Sequence, residues 1–159
     1  MDAGAPLSER PRIPPLETVA AVLDALERAG LRGVVGGSAV LAAHGAVGAV
    51  RDWDVVVDAD PAEVEAALAR LAAPVSRVTG DDARFATEAL FVVDAGDHAI
   101  DVMVRFRIRD GDDVVEIPAR RGSVWRGLPI ARAEDWIVAY RAMGRFERAD
   151  ALERVRADA

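Results

Sequence analysis

The chain has 159 residues, 52% hydrophobic and 30% charged, with a net charge of −7 and no cysteine. That length and balance predict one folded domain rather than a disordered chain. The missing thiols exclude a disulfide scaffold, a thiolate zinc finger and thiol catalysis.

No apolar run approaches the roughly 18 residues needed to cross a bilayer, and the start carries no signal-peptide pattern. The acidic balance argues against general adhesion to nucleic acid or anionic lipid. A cytoplasmic protein without a membrane partner is expected. All 20 basic residues are arginine, so an anion must be gripped by guanidinium, backbone N–H or hydroxyl.

Residues 1–15 hold Pro6, Pro11, Pro14 and Pro15 and no apolar period, the pattern of a flexible arm ahead of a single domain over 16–159. Leu16, Val19, Ala20, Leu23 and Leu26 recur at helical spacing, and Gly30 stops that helix. Val34-Val35 then form a short strand entering the turn Gly36-Gly37. Ser38 is a suitable N-cap for a helix through Ala43, closed by Gly45. A strand over Trp53–Val57 precedes a helix from Pro61 through Leu71, with Asp58 and Asp60 read as its caps.

Two strands, Phe85–Val93 and Ala99–Arg107, flank the hairpin turn 94–97, and His98 there is read as solvated. Another turn spans Asp110 to Asp113, and Val114–Ile117 reads as a strand. The tail from Ala133 to Ala157 is helical, with a break near Gly144. The fold class predicted is α+β, a small mixed sheet flanked by helices with further helices at the C-terminus.

The chemistry concentrates in Gly36-Gly37-Ser38, His44-Gly45 and Asp52-Trp53-Asp54. Asp52 and Asp54 are two apart on a strand and leave the same face, about 6–7 Å apart at Cα. Trp53 turns into the packing. Two carboxylates so close repel unless a proton or cation relieves them, and hard oxygen ligands suit Mg²⁺ or Mn²⁺. Asp101 interrupts the apolar run Ile100-Asp101-Val102-Met103-Val104, where a charge is costly unless paired. If that strand lies beside Trp53–Val57, three carboxylates converge as ligands for divalent ions in phosphoryl-type transfer. Asp-x-Asp alone is common at strand ends. What distinguishes this one is a glycine turn upstream, whose N–H groups and Ser38 hydroxyl suit phosphate oxygens.

These motifs resemble the minimal nucleotidyltransferase domains of the DNA polymerase β-like superfamily, especially the AbiEii-type bacterial proteins. The resemblance runs through Val34-Val35-Gly36-Gly37-Ser38-Ala39, His44-Gly45, Asp52-Trp53-Asp54-Val55-Val56-Val57-Asp58 and Ile100-Asp101-Val102. It continues through Gly127 to Ile137 and Gly144-Arg145, covering about residues 16–156. It implies transfer of a nucleoside monophosphate from an NTP to an acceptor hydroxyl of tRNA, a protein or a small molecule. Asp52, Asp54 and Asp101 would hold Mg²⁺ or Mn²⁺, with Asp101 also the general base. Gly36, Gly37, Ser38 and Arg51 would bind the nucleotide.

The chain departs from the family pattern where an Arg-x-Thr would precede the aspartates, at Gly48 and Val50. A common lysine falls at Tyr140, beside Arg141, and a common aspartate at Arg148. These departures allow a second expectation: a catalytically lapsed nucleotide-binding module, or one half of a toxin–antitoxin pair with an antitoxin-like partner. A third expectation, a structural domain with fortuitous aspartates, would leave Asp101 far from Asp52. His44 is read as a capping residue, and Trp125, Trp136 and Tyr140 as core or partner-facing aromatics. Arg105, Arg107 and Arg109 on one strand face, and Arg120, Arg121 and Arg126 in a loop, are candidate basic patches.

Overall fold

A computed structural model describes residues 13–80 and 82–157. Most of the arm expected over 1–15 lies outside the described residues. Within its last three residues Pro14 is buried, and the Pro15 carbonyl accepts a 3.3 Å hydrogen bond from Trp53 Nε1. Among the described residues no helix is long and apolar enough to cross a membrane.

Helix α1 (Glu17–Arg28) forms where the apolar period predicts it, burying Val19, Val22 and Leu26. Strand β1 (Gly33–Gly36) leads into a short helix α2 (Ser38–Ala43), and β2 (Trp53–Val57) follows. Gly37, not Ser38, occupies the N-cap of α2, which leaves the Ser38 hydroxyl uncommitted to capping; His44 is the C-cap. Helix α3 (Pro61–Leu68) starts at proline, whose missing N–H costs nothing there. Asp60 caps it through Ala62 N at 2.9 Å, whereas Asp58 instead accepts from Ala119 N at 2.8 Å. The helix ends three residues before Leu71.

Strands β3 (Val75–Arg77), β4 (Ala89–Asp94) and β5 (Ala99–Val104) come next. The strand expected through Arg107 stops at Val104 because Arg105 takes a left-handed conformation, φ 52°. Arg107 therefore belongs to a separate two-stranded hairpin, β6 (Arg107–Asp110) with β7 (Asp113–Glu116). The stretch expected as a loop around Arg120 to Arg126 is also a hairpin, β8 (Arg121–Trp125) and β9 (Leu128–Ala131). Its two-residue turn has positive φ at both Arg126 and Gly127, the twist that two-residue hairpins favour. Helices α4 (Ala133–Ala142) and α5 (Phe146–Ala157) close the fold.

The main sheet has seven strands in the order β3-β4-β5-β2-β1-β9-β8. It is mixed: β2 runs parallel to β5 and β9 parallel to β1, while β1–β2, β3–β4, β4–β5 and β8–β9 are antiparallel. The pleat sorts its residues into two faces. Val35, Val55, Val102 and Phe91 line up in one buried row, and on this face Leu23, Leu26 and Val55 close round Gly33. The opposite face carries Gly36, Asp54, Asp101 and Val92 in register, and it is only half covered.

Candidate active site

The site is a row of cross-strand neighbours. On β2, Asp54 pairs with Gly36 of β1 on one side and with Asp101 of β5 on the other. Adjacent strands lie about 4.8 Å apart, so the two carboxylates leave the same face as direct neighbours. Asp52 stands two residues before Asp54, just ahead of β2, and its Oδ1 accepts the Ala99 N–H at 3.1 Å. The ladder thus sets Asp54 directly beside Asp101, with the Asp52 charge close enough to act on both, and the expectation that Asp101 lies remote from the pair fails.

Their electrostatics follow from that crowding. Burial first, then repulsion from Asp101 and Asp52, pushes Asp54 from 3.8 up to about 7, against the opposing influence of Arg145 and Arg148. Burial, and next to it the Asp52 charge, also holds Asp101 above the usual carboxylate range. A group poised near neutrality can accept a proton in a reaction, and a cation would relieve the mutual repulsion.

Gly36 and Gly37 are needed for space as well as for the turn. A Cβ on Gly36 would strike the Trp136 indole, and one on Gly37 would strike Asp54 Oδ2. Gly37 also has φ 65° and ψ −144°, a conformation essentially confined to glycine. Beyond the phosphate cradle expected from sequence, this turn is the seat of Asp54 and of α4.

An open cleft of about 1490 Å³ lies over the row. Gly37, Ser38, Asp52, Asp54 and Asp101 form part of its lining, and the exposed Arg51 stands at its side. Arg77, Arg109, Trp136, Tyr140, Arg145 and Arg148 line the cleft as well. Trp136 and Tyr140 are buried as expected, at 3% and 1% exposure, yet they face this cleft. Phe85, Phe106, Trp136 and Tyr140 run as a chain of ring contacts with centroids 5.9, 5.6 and 5.5 Å apart. Nothing local in the sequence marks Trp136 or Tyr140 as site residues. The one signal is Gly144-Arg145, whose turn directs α5 back across α4.

Other expected features dissolve. Arg120 is no free phosphate ligand, because its guanidinium grips the buried Asp135 with bonds of 3.1 and 2.5 Å. Arg126 lies over the Trp125 ring at 5.0 Å. Arg105 pairs with Glu88 at 2.6 Å and does not share a strand with Arg107 and Arg109. His98 is not solvated: its side chain is 5% exposed, with Nδ1 2.7 Å from Asp97 Oδ1.

Among the described residues, no three His, Asp or Glu side chains converge as a ready-made metal cage. Mg²⁺ seldom needs one. It binds through one or two carboxylates, with substrate phosphates and water completing its shell. The row Asp52, Asp54 and Asp101 offers hard oxygen donors that fit an ion of that kind, which would take the place of the proton that crowding favours on Asp54.

No protein-family model matches this sequence, and no curated protein matches it. The fold does have solved counterparts. A candidate nucleotidyltransferase from Thermotoga maritima is 21% identical, with a TM-score of 0.61 over 91% of this chain and 93% of that one. The antibiotic-resistance factor ANT(2″)-Ia, solved in complex with adenylyl-2″-tobramycin, is 16% identical, with a TM-score of 0.51 over 90% of this chain and 95% of that one. Its solution structure gives the same identity and score, over 90% and 89%.

Proposed function

We propose that this protein, which has the nucleotidyltransferase fold, is a divalent-metal-dependent nucleotidyltransferase of the AbiEii-like kind. It moves a nucleoside monophosphate from an NTP to an acceptor hydroxyl. The observation that carries this reading is the direct register of Asp54 with Asp101, with Asp52 beside them and Gly37 against Asp54.

Asp52, Asp54 and Asp101 would hold Mg²⁺ or Mn²⁺, and the metal would neutralise charge on the attacking and leaving oxygens. Asp101 takes the proton of the acceptor hydroxyl as its oxygen bonds to the α-phosphorus. The bond from that phosphorus to the bridging oxygen breaks, and pyrophosphate leaves with the electron pair. Gly36, Gly37 and Ser38 position the phosphate chain, and Arg51 supplies charge at the mouth of the cleft. Holding the reactants in line accounts for much of such a rate.

Among acceptors, a small hydroxylated molecule is favoured over tRNA or protein. The open cleft has room beside the carboxylate row, and a structural neighbour was captured with an adenylylated aminoglycoside. The competing reading, a lapsed module with an antitoxin-like partner, rests on Gly48 and Val50 standing where the family has Arg-x-Thr.

Labelled NTPs, each incubated with the protein, Mg²⁺ and either total tRNA or a panel of hydroxylated small molecules, decide between them. Label recovered on an acceptor, and lost with Asp54→Asn, supports the enzyme. If no NTP raises the melting temperature in Mg²⁺, the enzyme reading fails.

A further inference from the structure

Among the described residues, three side-chain polar atoms are buried without a hydrogen-bond partner: His98 Nε2, Trp136 Nε1 and Tyr140 Oη. Two of these stand one helical turn apart on α4, and both side chains line the cleft. A buried donor without an acceptor is costly, and native proteins keep few of them. The indole cannot swing away easily, since it fills the space above Gly36 and stacks on Phe106 at 5.6 Å.

Past Tyr140 the chain reverses at Gly144, φ 76°, and Arg145 N donates to the Tyr140 carbonyl at 2.7 Å. This turn brings Arg145 and Arg148, three residues apart, to the same cleft. The Arg148 guanidinium lies 5.7 Å from the Tyr140 ring centre. Neither arginine forms an ion pair among the described residues.

An indole N–H and two guanidinium groups can only donate, and a phenol donates readily. Such a set matches a ligand made of acceptors. A nucleobase edge mixes donors and acceptors, whereas a phosphate chain offers acceptors alone and pairs best with guanidinium. Resting on the nucleotidyltransferase reading, we infer that Trp136 Nε1, Tyr140 Oη, Arg145 and Arg148 form the polyphosphate-binding wall of the cleft. With no lysine in the chain, the phenol and the two guanidiniums are the donors this wall offers a phosphate. Arg145 and Arg148 already act electrostatically on Asp54, which puts this wall within reach of a nucleotide held at the carboxylate row.

The probe is magnesium tripolyphosphate, which has neither base nor sugar, titrated by calorimetry alongside each of the four NTPs. Wild type binds it. Tyr140→Phe and Arg148→Gln each weaken it about tenfold, the effect of one charge-assisted hydrogen bond. Without ligand, Tyr140→Phe melts close to wild type, because the group beside its hydroxyl is the exposed Arg148 guanidinium and no acceptor in the fold is lost. Arg141→Gln breaks the 2.6 Å pair with Glu153 that joins α4 to α5 outside this wall, and it leaves the affinity within about twofold.

If NTPs bind and the Tyr140 and Arg148 variants bind them and tripolyphosphate as wild type does, the inference falls and the nucleotidyltransferase reading stands. Equal weakening by Arg141→Gln, or NTP binding without tripolyphosphate binding, overturns it in the same way. If the wild type binds no NTP in Mg²⁺, both fall together.

Discussion

Asp54 and Asp101 are direct neighbours across the parallel strands β2 and β5, two acids set side by side in a ladder whose other pairs are apolar. Nothing in the packing requires two acids there. The arrangement costs stability in the free protein and gains a purpose only with a cation or a transferable proton.

Asp54→Asn and Asp101→Asn should therefore separate stability from activity. Each removes a repulsive charge at constant shape, so the melting temperature in EDTA stays level or rises. Nucleotidyl transfer, measured with labelled NTP, falls about a thousandfold or more. A loss of stability parallel to the loss of activity would contradict the assignment.

The free protein should also become less stable as pH rises from about 4 to about 7. Folding lifts Asp54 from 3.8 to about 7, so between those values the folded chain holds a proton that the unfolded chain has released. The favourable contribution is complete below the lower value and is lost as pH climbs through the upper one. After discounting for partial exposure, the loss is on the order of 2 kcal/mol. Urea midpoints at pH 5 and pH 8 in EDTA measure it, and Asp54→Asn flattens the difference.

At Gly37 the smallest substitution should do double damage. Alanine there must adopt φ 65° and place its Cβ against Asp54 Oδ2, a strain of about 1–3 kcal/mol. Because the carboxylate must move, the NTP-dependent rise in melting temperature should vanish as well. Ser38→Ala, one residue on, should instead leave the fold intact and weaken only nucleotide binding, by about tenfold or less.

Arg120→Ala should lower the urea midpoint, though less than breaking a fully enclosed pair would, because the arginine is half exposed. It strands Asp135, whose side chain is 7% exposed. The double variant Arg120→Met with Asp135→Leu should recover most of that loss in urea titrations. NTP affinity should change little in it, since neither residue lines the wall built by Trp136 and Tyr140.

Much of this molecule can be read from its residues one stretch at a time. The strand Trp53–Val57 and the helix capped by Asp60 follow from β-branched runs, proline placement and a capping carboxylate, all signals within a few positions. The carboxylate row is legible too, since a lone Asp101 in an apolar strand is too costly to keep without a partner close by.

What escapes such reading depends on partners distant in the chain. Val75–Arg77 is too short and too polar to announce a strand. Arg121–Trp125 is exposed along most of its length, and its Arg-Gly turn is not the usual Asn-Gly or Asp-Gly. Tyr140 and Trp136 read as ordinary core aromatics because only the docking of α4 over Gly36 turns them toward the cleft.

Strand β9 bears on where this protein could be cut. A chain ending at Arg126 would keep the glycine turn and every carboxylate of the row. It would lose Ile130, the partner of Val35 along the edge of β1, and the indole that fills the space above Gly36. The smallest active fragment is thus longer than the span of its acidic residues, and a truncation series should show activity ending well downstream of Asp101.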